Sequence, residues 1–494
     1  MKPALRVATA LAFAIAAQPL PAASFFTPGN LVVSVEGNSD PADPHVYTDN
    51  QAAPLALYQY AVNGTASASL VNTLVLPQTS SGANSAVSGE YGSSSEGALQ
   101  LSNDGRYLAI AGYGTNAAVF NAKATAAIGT TTVTTDGSAA LGQSISLSTS
   151  PNAVARVIAL IDGNGTVDSS TRLYNVYNGN NPRSVATLDG QVIYVSGQGT
   201  SGDTTGGVFR TTRGTVDTAP VAITGKDTSG NTATQDTRDV QIVNGTLTVS
   251  VDSKQGSNAA RDFIGTLGHV PVNGLYQNGA GPTQLAGFGT NASGKYTATA
   301  ASANGVTAAG QQINLSPAGF FFADATTLYV ADTGKPKNNS ASSGSGLGGL
   351  QKWSLMNGTW VLDYTLSSGL NLVSNSPPAG QNTAPAGTTG LLALTGTVVG
   401  DQVYLYATNY TNGDLDQTYL YGISDTLANM TAKPATSFTT LATAPAGSNF
   451  KGVSFAPTIA AAVPEPASYA LMIAGFGFLG GLLRRRDPMA TDLT

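Results

Sequence analysis

Short runs of β-branched and aromatic residues alternate along most of the chain with Gly, Asn and Asp turns, and helical periodicity is almost absent. The pattern predicts an all-β body. One unit recurs, a turn followed by an apolar strand that ends in small residues. It runs from Gly29 to Gly37, Asp104 to Gly112, Asp189 to Gly197, Asn244 to Val251, Asp324 to Asp332 and Gly400 to Ala407. Aligned on Leu31, Leu108, Ile193, Leu247, Leu328 and Tyr404, the copies are spaced by roughly 75 residues, the length of a four-stranded blade with long loops.

Most landmark strands have one strand before them and two after. Asn181 to Leu188 precedes the third, and Gly206 to Thr212 and Pro220 to Thr224 follow it. The fifth has Gly319 to Phe322 before it, then Gly349 to Leu355 and Thr359 to Thr365. The expected fold is therefore a β-propeller of six four-stranded blades, or seven if the stretch from Ala117 to Asn152 holds another blade in place of an insertion. The first landmark strand, Leu31 to Val35, has no outer partner before it, and Asn449 to Pro457 stands as a lone strand near the far end. Those two strands would complete one blade, closing the ring and hiding both edges.

The two ends differ from the body. Met1 to Arg6 is basic, Val7 to Ala17 is apolar, and Gln18 to Ser24 is rich in Pro and Ala. This is the pattern of a secretory signal peptide with a short helix, too short to span a bilayer, and the later of two small-residue sites places the cut after residue 23. At the other end, Val463-Pro464-Glu465-Pro466 leads into an uncharged apolar stretch from Ala467 to Leu483, followed by Arg484, Arg485 and Arg486. That stretch predicts a transmembrane helix, and the arginine cluster keeps its far end cytoplasmic, with the body on the other side.

This tail resembles the PEP-CTERM sorting signal of exported proteins in exopolysaccharide-producing Gram-negative bacteria. The resemblance implies that exosortase, a membrane-embedded transpeptidase-like protease, recognises Pro464, Glu465 and Pro466, and that Arg484, Arg485 and Arg486 are the stop-transfer cluster. Tyr469 stands where many members carry Trp. The body resembles a group of exported propeller proteins with the same tail, through Ser95 to Leu108, Gly179 to Ser184, Gly319 to Asp324 and Gly348 to Lys352. That group has no assigned activity. Leu328 to Gly334 is also similar to the strand of NHL or YVTN repeats. The expected domains are a signal peptide over 1–23, a propeller body over 24–460 and the sorting signal over 461–494.

Charge and composition narrow the chemistry. The 494 residues include no Cys and only 2 His, which removes disulfides, thiol nucleophiles and most transition-metal sites. There are 22 Lys and Arg against 28 Asp and Glu, a net charge of -6. Setting aside Lys2, Arg6 and Arg484 to Arg486, and the acids Glu465, Asp487 and Asp492, leaves 17 basic and 25 acidic residues, a body near -8. No basic stripe remains to neutralise a phosphate backbone, which argues against nucleic acid as a partner.

Several motifs carry groups suited to chemistry. Asp162, Asn164 and Asp168 alternate oxygen ligands like the start of a calcium loop, but the twelfth position is Leu173. The stretch lies between predicted strands from Ala155 to Ile161 and Thr171 to Tyr177, so a hairpin turn is the better reading. Asp40, Asp43, His45 and Asp49, and likewise Asp401, Asp414 and Asp416, read as solvated turn acids, with calcium at a ring face as the other use. Gly344 to Gly349 matches G-x-G-x-x-G but leads into a strand, not a helix. His45 and His269 belong to no nucleophile-base motif, and His269 reads as a strand residue on a blade surface. Trp353, Trp360 and Tyr364 fit blade core better than sugar-stacking platforms.

These readings predict an exported, exosortase-sorted propeller that serves as a binding or structural component at the cell envelope or in the exopolysaccharide matrix, with no cofactor, and with calcium as the one candidate. Its expected partners are signal peptidase, exosortase, the inner membrane through the C-terminal helix, and polysaccharide. The body would pass through the periplasm and end at the cell surface or in the matrix. The alternative is an extracytoplasmic propeller enzyme acting on glycans or lactones, which carboxylates converging on the central channel would favour.

Overall fold

The computed structural model describes residues 24–43, 45–123, 125–128, 131–134, 140–200, 203–224, 236–253, 262–274, 281–289, 296–298, 309–336, 348–372 and 387–459. The expected signal helix and transmembrane helix lie outside these residues, as does most of the G-x-G-x-x-G stretch. Among the described residues, no helix is long and apolar enough to cross a membrane.

Among the described residues, mostly antiparallel strands build five four-stranded blades, one larger sheet and two small two-stranded ribbons. The first blade orders Ser448–Phe455, Leu31–Gly37, Ala56–Asn63 and Ser67–Val75. The second orders Pro182–Thr187, Val192–Gly197, Gly207–Thr212 and Val221–Ala222, and the third Thr237–Val243, Thr246–Asp252, Asp262–His269 and Thr283–Gln284. The fourth is Pro317–Phe322, Thr327–Asp332, Gly349–Met356 and Thr359–Leu366. The fifth is Thr388–Val399, Gln402–Thr411, Tyr419–Thr426 and Thr439–Thr443. Each landmark residue except Leu108 falls on the second strand of one of these blades.

Leu108 lies in a seven-stranded sheet between the first and second blades, which is where the expected count of six or seven four-stranded blades fails. Tyr107–Tyr113 pairs with the short strand Leu99–Leu101 along one half and with Ser88–Glu90 at Tyr113. Ser88–Glu90 carries Ala52–Pro54 in turn, and Val216–Asp217 adds in parallel beyond Val167–Leu173. Strands borrowed from neighbouring loops thus widen this sheet. The stretch from Ala117 to Asn152 adds no blade among its described residues, which hold one helical segment, Ala117–Lys123, and a hairpin of Thr125–Ile128 with Thr131–Thr134.

The first strand of each blade faces the axis. Ser448–Phe455, Leu99–Leu101, Pro182–Thr187, Thr237–Val243, Pro317–Phe322 and Thr388–Val399 touch in sequence and return to Ser448–Phe455. The partner of Leu31–Gly37 is therefore an inner strand, where an outer one was expected, and it comes from the far end of the chain as anticipated.

Burial explains the composition. Leu31–Gly37, Thr327–Asp332 and most of Thr246–Asp252 are buried along their length, because each lies mid-blade between two neighbouring sheets. A strand covered on both faces reads as a continuous apolar run. The outermost Ser67–Val75 has no buried position. Apolar side chains of adjacent sheets share their cores: Val32 and Leu57 pack with Leu108 and Val157, while Val33 and Phe450 join Tyr406 and Leu420.

Small residues at the ends of the landmark strands also have a role. Ser34 and Ser196 each lie three positions beyond the landmark. Their hydroxyls donate across a blade junction, Ser34 Oγ to Gly97 O at 2.5 Å and Ser196 Oγ to Arg238 O at 2.6 Å. Gly452 sits where a Cβ would overlap Leu99 N, so the closing strand meets the next sheet only because that position is glycine.

Candidate functional site

The inner strands border a small cavity on the ring axis, with lining residues from all six strands or their leading loops. Its charged lining consists of Glu96, Arg183, Arg238, Asp239 and Lys451. Arg183 and Arg238 occupy the second position of successive inner strands, Pro182–Thr187 and Thr237–Val243, and Glu96 precedes a third. Charge therefore collects where the inner strands begin.

The two arginines are almost fully buried. Arg183 pairs with Asp236, and its Nη2 donates to Gln198 Oε1 at 2.8 Å. Arg238 Nη2 donates to Asp252 Oδ2 at 2.9 Å, and the same oxygen accepts Ser316 Oγ at 2.8 Å. Among the described residues, no group accepts from Nε of Arg183 or from Nε and Nη1 of Arg238. Burial, with the charge of Arg238 nearby, pushes the Arg183 guanidinium down to about 9.

The carboxylates that reach the cavity are engaged by the protein. Asp239 Oδ1 accepts Gln100 Nε2 at 2.6 Å and Ser184 Oγ at 2.7 Å, while Oδ2 accepts Gln241 Nε2 at 2.8 Å. Burial outweighs these donors and pushes Asp239 up to about 6. Glu96 Oε1 accepts Glu90 N at 3.0 Å. Burial raises Glu96 to about 7, against the lowering effects of Tyr113 and Lys451. Behind it, burial and the neighbouring Glu96 carboxyl hold Glu36 and Glu90 well above the usual carboxylate range. Lys451 Nζ lies 3.9 Å from Glu36 Oε2 and donates to Ser93 O.

The residues singled out from sequence lie elsewhere. Asp162 Oδ1 accepts Asn164 N and Thr166 N, both at 2.9 Å, capping a hairpin turn at Gly165. The strand after that turn is Val167–Leu173, starting four residues earlier than expected because the turn is short. Asp168 Oδ2 accepts Arg213 Nε at 2.7 Å. Asp40 and Asp43 cap their own loop, with Ala42 N on Asp40 and His45 N and Tyr47 OH on Asp43. Asp416 accepts Gly387 N and Gly413 N. Burial and the charge of Asp49 push Asp414 up, so the first-blade and fifth-blade loops meet on one face. Among the described residues, no group of three His, Cys, Asp or Glu side chains is arranged to hold a metal ion.

Trp353, Trp360 and Tyr364 are core residues. Trp353 stacks on Phe288 with centroids 4.1 Å apart, and its Nε1 donates to Gln351 Oε1 at 3.1 Å. His269 is exposed at the end of its strand, with Nδ1 3.3 Å from Gly245 O.

Residues 462–486 match the PEP-CTERM protein-sorting motif. The match contains Pro464, Glu465, Pro466, Arg484, Arg485 and Arg486, all outside the described residues. It implies an exported, exosortase-targeted protein with a membrane-anchored C-terminal sorting region. No curated protein matches the chain. Among solved structures, an ancestral GH74 enzyme is similar over 84% of this chain and 39% of its own, at 11% identity and a TM-score of 0.36. The chain thus spans about two fifths of that enzyme. An apocarotenoid oxygenase variant from Synechocystis is similar over 87% of this chain and 93% of its own, at 9% identity and a TM-score of 0.32. Apo AztD from Citrobacter koseri is similar over 87% and 99%, at 8% identity and a TM-score of 0.25. Likeness at this level carries no argument about activity.

Proposed function

We propose that this protein is a surface-directed β-propeller that acts as a binding or structural component at the cell envelope or in the exopolysaccharide matrix of a Gram-negative bacterium. Signal peptidase removes residues 1–23, the body over 24–460 folds in the periplasm, and the signal over 461–494 holds it in the inner membrane. Exosortase recognises Pro464, Glu465 and Pro466, while Arg484, Arg485 and Arg486 stop transfer. The observation that carries the binding reading is Asp239: it lines the axial cavity, yet Gln100, Ser184 and Gln241 occupy its oxygens. A carboxylate so held supports a shape and has little freedom to act as a general base.

A second reading, an enzyme acting on glycans or lactones, is favoured by Glu96, which lines the same cavity and holds a proton near neutral pH. One experiment separates the two. The full chain in detergent is screened against a panel of polysaccharides, with retention and product release measured together. Retention without release is expected. Turnover abolished by Glu96→Gln would overturn the scaffold reading.

A further inference from the structure

We infer that two copies of this chain meet edge to edge along the outer strand of the first blade, Ser67–Val75, each copy supplying the strand that the other's sheet lacks. The contact is separate from the axial cavity and holds whichever use that cavity has.

Three observations converge. The first is an edge left open. Among the described residues, Ser67–Val75 pairs with Ala56–Asn63 and no strand adds to its other side. A row of unpaired backbone N–H and C=O groups is a template for a further strand, and proteins usually shorten, charge or cover such an edge. The other blades follow that rule. Val221–Ala222 and Thr283–Gln284 have two residues each, and Thr439–Thr443 has five. Thr359–Leu366 has eight but is buried at six of them, and Trp360 N donates to Ala286 O at 2.7 Å. Ser67–Val75 runs for nine residues with no buried position.

The second is what that edge carries. Leu70 and Val71, at mid-strand, are 52% and 49% exposed. Leu70 stands opposite Tyr60 and Asn72 opposite Gln59, so Val71 is the extra residue of a bulge, with four residues on either side of it. A two-fold axis at Val71 sets Ser67 to Leu70 of one copy against Asn72 to Val75 of the other, with Ser69 across from Thr73. The bulge then interrupts the ladder only at the axis, where the exposed apolar side chains meet. A strand paired antiparallel with its own copy is an isologous contact, the closed arrangement that most homodimers use.

The third is charge, which selects a second copy as the occupant. Near a two-fold axis each side chain meets its own counterpart, so a charged residue there would face its like. The net charge of the body, near -8, opposes association over most of its surface. From Asn50 to Gly89, however, the chain has no Asp, Glu, Lys, Arg or His, and Thr439–Thr443, which packs beside Ser67–Val75, has none either. The long open edge is thus a place where two acidic copies approach with no like charges opposed. A contact made of one edge strand and its flank lies at the small end of specific interfaces, so the dimer should dissociate in the micromolar range.

The test exploits a chain without cysteine. In the full chain in detergent, Val71→Cys should form a disulfide-linked dimer under mild oxidation. Ser69→Cys mixed with Thr73→Cys should cross-link at least fivefold more than either alone, as the antiparallel register requires. Val46→Cys, in the exposed loop after Leu31–Gly37, is the control and should not cross-link. Sedimentation velocity on the parent should show a dimer that Val71→Lys weakens at least tenfold, with an unchanged melting temperature showing the fold intact. A monomeric parent, cross-linking of Val46→Cys as strong as that of Val71→Cys, or a dimer that Val71→Lys leaves unchanged would each overturn the inference. A monomer that captures a synthetic peptide of the sequence from Ser67 to Val75 would overturn it too, and would assign the edge to an extended segment of another protein.

Discussion

Val33 stands opposite Val453 in an antiparallel ladder that joins the first described strand of the chain to the last. Phe450 on the same closing strand faces Val35, is fully buried, and meets Tyr60 edge-on at 6.1 Å. Phe450→Ala should cost about 3–5 kcal/mol, the usual range for emptying a large aromatic site in a core. Deleting Phe450 to Pro457 should lower the melting temperature of the whole body, because it uncovers the inner edge of Leu31–Gly37 and opens the ring. Differential scanning calorimetry checks both. A deletion that melts at the parental temperature would show that ring closure contributes nothing.

Asp425 ties the fourth and fifth blades together. Its Oδ2 accepts the hydroxyls of Tyr329 at 2.7 Å and Tyr364 at 2.5 Å and lies 3.5 Å from Lys352 Nζ. All four groups are buried. Asp425→Ala should destabilise by about 3–5 kcal/mol, since it leaves a buried ammonium without its counter-charge. Tyr364→Phe, which removes one hydrogen bond to a charged acceptor, should cost about 1.5–3 kcal/mol. The shift in the urea midpoint at constant slope measures each.

Acidity should stabilise this protein over an unusual window. Burial pushes the Asp332 carboxyl up to about 7, despite hydrogen bonds from Ser316 N and Gly334 N, and Glu96 is likewise raised to about 7. Between the unfolded carboxyl range near 4 and these values, the folded state holds protons that the unfolded chain releases. The stabilisation is complete below about pH 4 and is lost as the pH rises through about 7, at about 1.4 kcal/mol per unit for each group. The melting temperature should therefore fall from pH 4.5 to pH 7 and then level. Asp332→Asn should make that slope shallower, and an unchanged slope would remove Asp332 from the account.

Processing at the tail gives a separate prediction. Replacing Pro464, Glu465 and Pro466 with alanine should leave the chain at full length in the membrane fraction, whereas the parent is shortened. Immunoblotting of fractionated cells reads the difference, and unchanged processing would count against recognition of these three residues.

The landmark strands were legible because mid-blade strands are covered on both faces. Leu31 to Val33 and Leu328 to Ala331 therefore read as unbroken apolar runs. The closing strand was legible because Phe450 to Phe455 has strand character and no local partner. The widened sheet was not, since Leu99–Leu101, Ala52–Pro54 and Val216–Asp217 are too short to show a period. The cavity residues were missed for another reason. Arg183 and Arg238 each stand alone in sequence, and only the ring brings them together. A usable signal was present: in a chain with 10% charged residues, both adjacent inner strands place an arginine second, just before a run that is buried.

After the closing strand, Thr458 N donates to Gly105 O at 2.7 Å, so the chain is pinned at the turn that follows Leu99–Leu101, where inner strands end. From Ile459 to Pro464 a fully extended chain reaches less than about 20 Å. A membrane attachment through the sorting region would therefore reach the body on its strand-end side, the side opposite the one where Arg183, Arg238 and Glu96 gather.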